Sequence, residues 1–342
     1  MESANKIILK CLIFTIVNIS ALISVHAQDP QFSQFYSSPL YLAPSFAGTS
    51  GGGRLIINYR DQWPRLTSTF ITTALSADYY LEKYRSGVGL LLLRDDAGNG
   101  LMNLTRLGLN YSFNFNITQK WKFRPGLQAY YFWESIDYSF LTFGDQILRS
   151  GNGGSTPGSS IEMDKLLNTE PVSHIDFTTS LLAYSDQYWF GFTMDHLMFF
   201  SNTLASGGDY IPFRYAAFGG GKYHIKSKTI RRKEESVTVA FNFFSQKNIS
   251  YLDLGTYYTH EPLNFGLWYR GLPVIPGNPN LGAITLLLGY KFAAFRLGYS
   301  YDFTVSKLIT QTGGAHEVSV IYSFVDKKRK KVKHKALPCP GM

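Results

Sequence analysis

Alternation with a period of two runs through this chain from about residue 54 to residue 324, and it leaves few folds open. Leu107, Leu109, Tyr111, Phe113 and Phe115 fall on one side of an extended backbone, while Arg106, Gly108, Asn110, Ser112 and Asn114 fall on the other. A helix would merge the two sets into one stripe. The pattern recurs in Phe295, Leu297, Tyr299, Tyr301 and Phe303 against Arg296, Gly298, Ser300 and Asp302, and again around Val237 to Phe243 and Leu263 to Tyr269. The spacing predicts fourteen strands, at about 54–60, 67–80, 86–94, 103–115, 120–134, 173–184, 187–196, 213–225, 235–246, 248–259, 262–270, 281–291, 293–303 and 314–324.

The connections between these strands are unequal. Those near Lys83, Thr118, Asp186, Glu261 and Ala293 are short, and most of the others are long and rich in Gly, Pro and Asn. Two depart from the rule: the turn near Gln246 is short, and Lys226 to Glu234, with Arg231-Arg232-Lys233, is long. Tight turns at one end and loops at the other, on long strands with one apolar face, characterise outer-membrane barrels, whose polar face lines the interior. Closure pairs every backbone donor and acceptor, as lipid requires. The expected fold is therefore all-β, a transmembrane antiparallel up-and-down barrel of about 14 strands with both termini on the periplasmic side. A soluble sandwich or lipocalin-like barrel would also alternate, but with its apolar face inward. Here the polar faces carry Gly, Ser, Asn and charges of both signs (Arg106, Arg124, Glu134, Asp253, Lys291, Arg296, Asp302, Glu317), as a lumen would.

Composition agrees. Aromatic residues make up 16%, with 23 Tyr and 26 Phe, and charged residues 17%, below the roughly 25% of soluble domains. That apolar content excludes intrinsic disorder. At the start, Lys6 and Lys10 precede the apolar run Cys11 to Val25, and Val25-His26-Ala27 stands before Gln28. This predicts a signal peptide over 1–27. An N-terminal anchor is the other reading of such a run, and the polar, Pro-containing sequence that follows favours cleavage. Cys339 would then be the sole mature cysteine, which rules out an internal disulfide. Beyond that run no stretch approaches the length of a membrane helix.

Charge is concentrated at the other end. Of the formal +9, residues 327–335 contribute +7 through Lys327, Lys328, Arg329, Lys330, Lys331, Lys333 and Lys335, and the leader +1, which leaves a near-neutral body. The expected domains are thus 1–27, an N-terminal periplasmic or lumenal segment 28–53, the barrel 54–324 and a basic periplasmic tail 325–342. The tail reads either as a solvated end or as a docking segment for an acidic periplasmic partner or lipid headgroups. Nucleic acid is the wrong partner for that compartment.

Signatures of enzymes are missing: the sequence holds no G-x-S-x-G, H-E-x-x-H, P-loop or metal-spaced Cys pair. His174, His196, His224, His260 and His316 are scattered one per segment. No catalytic residue, metal site or cofactor is expected. Asp145 to Pro171, with its Gly-Ser run from Ser150 to Gly158, reads as a flexible loop with a helical turn around Glu162 to Leu167.

Further motifs carry a resemblance. Asp29-Pro30-Gln31-Phe32-Ser33-Gln34-Phe35-Tyr36 and the residues following to Thr49, Asn58-Tyr59-Arg60-Asp61-Gln62-Trp63-Pro64, Gly313-Gly314-Ala315-His316-Glu317-Val318-Ser319, and the basic tail ending in Cys339-Pro340 are similar to the PorP/SprF family. Its members are membrane proteins of type IX secretion and gliding in Bacteroidota. The resemblance implies a non-enzymatic outer-membrane barrel beside the translocon. Its implied partners are a secreted cargo, such as a large adhesin with a type B C-terminal domain, and the periplasmic ring and motor components.

Residues 28–53 mix aromatics with Pro, Ser and Gln, so they are expected to fill the barrel or cover its periplasmic mouth, with Tyr hydroxyls and Gln amides meeting a polar wall. Phe32, Gln34, Phe35 and Tyr36 are the candidate plug residues, facing Arg106, Arg124, Arg296, Asp302 and Glu317. Two functions stay open at this point. One is a secretion adaptor whose outer loops, notably 136–172 and 197–212, hold cargo while the tail meets the machinery. The other is a channel or transporter for small or apolar solutes.

Overall fold

The computed structural model describes residues 29–66, 69–98, 101–137, 171–198, 211–226, 234–247, 249–273, 282–305, 312–324 and 337–338. Met1–Pro30 and Gln31–Met342 are separate units; of the first, Asp29 and Pro30 are described, as irregular chain.

Gln31–Met342 holds one closed antiparallel sheet. Its strands are β1 (Gly53–Gln62), β2 (Phe70–Leu81), β3 (Ser86–Ala97), β4 (Met102–Phe113), β5 (Phe115–Asn116), β6 (Lys122–Ile136), β7 (Val172–Tyr184), β8 (Tyr188–Asp195), β9 (Arg214–Lys226), β10 (Glu235–Gln246), β11 (Ile249–His260), β12 (Leu263–Pro273), β13 (Ala283–Phe292), β14 (Phe295–Thr304) and β15 (Ala315–Phe324). The two residues of β5 continue β4 and pair with β6, so fourteen strands make up the wall among the described residues. Each strand pairs with its neighbours in sequence, and β1 pairs with β15 from Gly53↔Phe324 to Gln62↔Ala315. That seam closes the cylinder and leaves no free edge in lipid.

The faces follow from the alternation. Leu107, Leu109 and Tyr111 of β4 are exposed, whereas Arg106, Asn110 and Ser112 between them are buried. Strand β14 repeats this with Leu297 and Tyr299 outside and Ser300 and Asp302 inside. The protein is inverted relative to a soluble domain, with apolar side chains on its outer surface and polar ones within. Such a surface is stable in lipid. Leu109, 66% exposed near the middle of β4, gives a direct check. Leu109→Arg is expected to cost about 2–4 kcal/mol in urea unfolding from lipid vesicles; an unchanged midpoint would mean that this face does not meet the bilayer.

Both connection irregularities are present in the pairing. Gln246 pairs with Ile249 across a tight turn at the end that carries the long loops, and β9 ends at Lys226 whereas β10 begins only at Glu235. Strand 2 begins at Phe70 rather than near 67, and strand 13 at Phe295 rather than 293, because Ala293 takes a positive φ of 50° in the turn. The helical turn expected around Glu162 to Leu167 lies outside the described residues.

Candidate functional site

The interior is occupied by the chain's own residues 31–52. Prolines set the local form: Pro39 opens a helical turn, Pro39–Leu42, and Pro44 opens a 3-10 turn, Pro44–Phe46, each at the first helical position where its missing N–H leaves no bond unmade. A further 3-10 turn, Phe35–Ser37, precedes them. From Phe32 to Leu40 every residue is buried. The segment begins at the loop end of the barrel, where Arg270 Nη2 donates to Gln31 Oε1 at 3.3 Å. It leaves at the turn end, where the Gly48 N–H donates to Asp78 Oδ2 at 2.7 Å, just before β1. This segment is a plug that crosses the lumen.

Three polar clusters hold it. At the loop end, Glu317, fully buried, accepts the backbone N–H of Ser33 at 2.6 Å and of Gln34 at 3.0 Å, and pairs with Arg60 at 3.3 Å. Arg60 also reaches Asp302 at 2.8 Å, and Arg270 reaches the same carboxylate at 3.1 Å. The Ser33 hydroxyl donates to Asp302 at 2.5 Å and accepts from Arg270 at 2.7 Å and from Arg60. Gln34 Nε2 donates to Ser300 and to the Glu317 carbonyl, and its Oε1 accepts from Ser319 at 2.7 Å.

A second cluster lies on β4, β6, β7, β8 and β9. Asp195 pairs with Arg106 and with Arg214, each at 3.0 Å, and accepts from Tyr130 and Thr178. Arg106 also lies 3.5 Å from the centre of the Tyr130 ring, and Arg214 donates to the hydroxyl of plug residue Tyr41 at 3.2 Å. His196 Nδ1 bonds Asp176 at 3.0 Å and Tyr130 at 3.1 Å. Its hydroxyl neighbour Tyr130 is also committed to Asp176 and Asp195, so the group reads as a structural network.

At the turn end, Arg124 and Ser112 both donate to the Ala47 carbonyl, and the Ser45 N–H donates to Ser180 Oγ at 2.9 Å. Two glycines let the plug backbone touch the wall there. A Cβ on Gly87 would stand 2.0 Å from the Ala47 oxygen, and one on Gly126 would stand 2.2 Å from the Ser45 nitrogen.

Between the clusters the plug is aromatic. Phe35 meets Trp268 edge-on at 4.7 Å, Tyr36 meets Trp189 at 5.9 Å, and Phe46 stacks on Phe218 at 5.4 Å. The Trp189 indole donates to the Tyr36 hydroxyl at 3.3 Å, which in turn donates to the Gly219 carbonyl. Phe32 lies against Tyr41 at 5.6 Å.

Phe32, Gln34, Phe35 and Tyr36 are thus in the lumen with Arg106, Arg124, Asp302 and Glu317. Arg296 is half-buried on the inner face near the turn end, in register with Lys291. The basic residues Lys327, Lys328, Arg329, Lys330, Lys331, Lys333 and Lys335 lie outside the described residues. Sequence reasoning gave no lumen role to Ser33, Arg60, Arg270, Asp195 or Tyr130. Parity with Asn58 and with Trp268 would have put Arg60 and Arg270 on the inner face.

Three of the four sequence motifs meet at one place in this geometry. Ser33 and Gln34 of the first bind Arg60 of the second and Glu317 of the third across the β1–β15 seam, and the Trp63 N–H donates to the Gly314 carbonyl at 2.8 Å. Residues 24–322 match the family described as type IX secretion system membrane protein PorP/SprF. The chain belongs to the PorP/SprF family. It is a membrane β-barrel of the type IX secretion system, of the outer-membrane type, and its lack of enzyme motifs accords with that family. No curated protein matches the sequence at a significant level. Among solved structures, it is similar to the CymD monoaromatic hydrocarbon channel (14% identity, 88% of this chain and 95% of that chain, TM-score 0.44). It is also similar to the Ralstonia pickettii toluene transporter TbuX (10%, 84% and 92%, TM-score 0.46), and to a mutant Rh. blastica porin (9%, 80% and 98%, TM-score 0.34). The closed barrel stands on its own strand pairing, independent of these likenesses.

Proposed function

We propose that this PorP/SprF barrel is an adaptor of type IX secretion, working through its two ends rather than through its lumen. The observation that carries this reading is the plug: residues 31–52 cross the lumen and are fixed by hydrogen bonds to buried, ion-paired wall groups at the loop end and by backbone contacts at the turn end. A lumen packed in this way favours a scaffold over an open pore.

In this reading both ends of the wall, Gly53 and Phe324, are periplasmic, whereas the expected periplasmic N-terminus is replaced by a lumen segment that starts at the loop end at Gln31. The long loops 136–172 and 197–212 face outward and hold a secreted cargo, for which an adhesin with a type B C-terminal domain is the expected class. The basic tail, 325–342, meets the periplasmic ring and motor components or anionic lipid. The domain limits 1–27, 28–53, 54–324 and 325–342 belong to the same proposal.

The test is an affinity pull-down of the tagged protein from gently solubilised outer membranes of its host, with and without residues 327–342. The full chain is expected to retain a large secreted protein or ring components, and the shortened chain to lose the ring components by at least tenfold. A barrel recovered alone, which also passes current in planar bilayers, would replace the adaptor with a solute channel.

A further inference from the structure

Past the last strand, the described residues resume at Leu337 and Pro338, and these are not at the surface. Leu337 packs against the buried cluster that includes Phe35, Tyr36, Trp189, Tyr257 and Trp268, and Pro338 is itself buried. That cluster is the aromatic seat of the plug. It faces the lumen and reaches the turn end through Tyr184 and Trp189, which flank the β7–β8 turn, and Phe324 ends the wall at that same end. The chain therefore leaves the barrel at Phe324 and is back inside it by Leu337.

We propose that the turn-end half of the lumen is a binding site for an apolar, proline-containing peptide segment, and that its resident ligand is this chain's own Leu337-Pro338. The basic stretch 327–335 lies between the end of the wall at Phe324 and this contact. Leucine supplies the apolar area and proline a preset backbone that loses little freedom on seating. With the other end fixed at Phe324, the segment binds intramolecularly, at the high effective concentration of a short linker. A small apolar contact can then be occupied and still release readily. If the tail meets the periplasmic machinery, as proposed above, a partner that grips the cations draws on Leu337, and through it on the buried cluster that seats the plug. Engagement outside the barrel would thereby reach the plug.

The site is tested on the full chain with no partner present, so its failure is separable from failure of the adaptor reading. Two single-cysteine proteins are made on a Cys339→Ser background, one with Leu337→Cys and one with Val332→Cys. Each is reacted folded, then urea-unfolded, with a water-soluble maleimide. The cysteine at 337 is expected to react about tenfold more slowly than that at 332 when folded, which corresponds to about 1.4 kcal/mol of seating, and equally when unfolded. Equal rates in the folded protein overturn the site. As a second measurement with no added cysteine, Leu337→Asp should speed tryptic cleavage within 327–335, since cleavage follows the released population. Cleavage at the wild-type rate also overturns it.

Discussion

Gly126→Val, combined with Gly87→Val, is expected to give a barrel that passes discrete currents in a planar bilayer, where the unaltered, plugged barrel is expected to pass none. Both glycines lie on the inner wall, Gly87 in β3 and Gly126 in β6. The nearest atoms a new Cβ would meet are plug backbone, Ala47 O and C at 2.0 and 2.4 Å and Ser45 N and Pro44 C at 2.2 and 2.6 Å, with the wall's Arg124 Nη2 next at 2.9 Å from Gly87. Backbone cannot swing aside as a long side chain can. The usual cost of overpacking, about 1–3 kcal/mol per site, is therefore a lower bound for the seated plug. The wall bears little of it, because valine suits a strand better than glycine does. The strain falls mainly on the plug, since the Arg124 side chain is the flexible wall group in the way, and it displaces the Ser45 N–H from Ser180 and the Ala47 carbonyl from Ser112 and Arg124. The barrel should keep the gel shift on heating that marks a folded membrane barrel, while residues 31–52 become open to protease. A folded variant that stays silent, with its plug still protected, would show that close backbone approach does not seat the plug.

The strands were legible because lipid imposes a rule that the sequence must repeat at every crossing. Leu107 to Phe115 and Phe295 to Phe303 show it without any three-dimensional information, and parity alone assigns Arg106, Asp302 and Glu317 to the inside. Pairing within the lumen was not legible. Ser33 and Glu317 are 284 residues apart, and parity gives a residue's side of the wall but neither its depth nor what stands opposite. The seat of Leu337 was hidden for another reason. Two residues have no period, and the seven cations of 327–335 dominate any reading of the tail. Gly126 looked like ordinary strand sequence, since only the plug's position makes its missing side chain meaningful.

Pairing across the closing seam yields the second large effect. Glu317→Ala is expected to destabilise the barrel by about 3–5 kcal/mol, the range for breaking a buried ion pair by removing one partner. The N–H groups of Ser33 and Gln34 lose their acceptor at once, and the Arg60 guanidinium loses one of its two carboxylate partners, keeping Asp302. Arg60→Ala should cost a similar amount, because it leaves Glu317 and Asp302 facing each other with Arg270 as the remaining cation, 3.1 Å from Asp302. The double variant removes both members of the buried pair, so its cost should fall short of the sum by at least about 1 kcal/mol, as expected for residues in one network. Urea midpoints of the four proteins in vesicles measure the coupling. Strict additivity would mean that Arg60 and Glu317 do not depend on each other. The same cycle also says what ties the plug to the wall: Arg60 lies in β1, Glu317 in β15, and Ser33 and Gln34 in the plug. One buried group thus joins the first strand, the last strand and the lumen segment. Loss of plug protection in both single variants, at urea concentrations where the wall is still folded, would identify that group as the plug's main anchor.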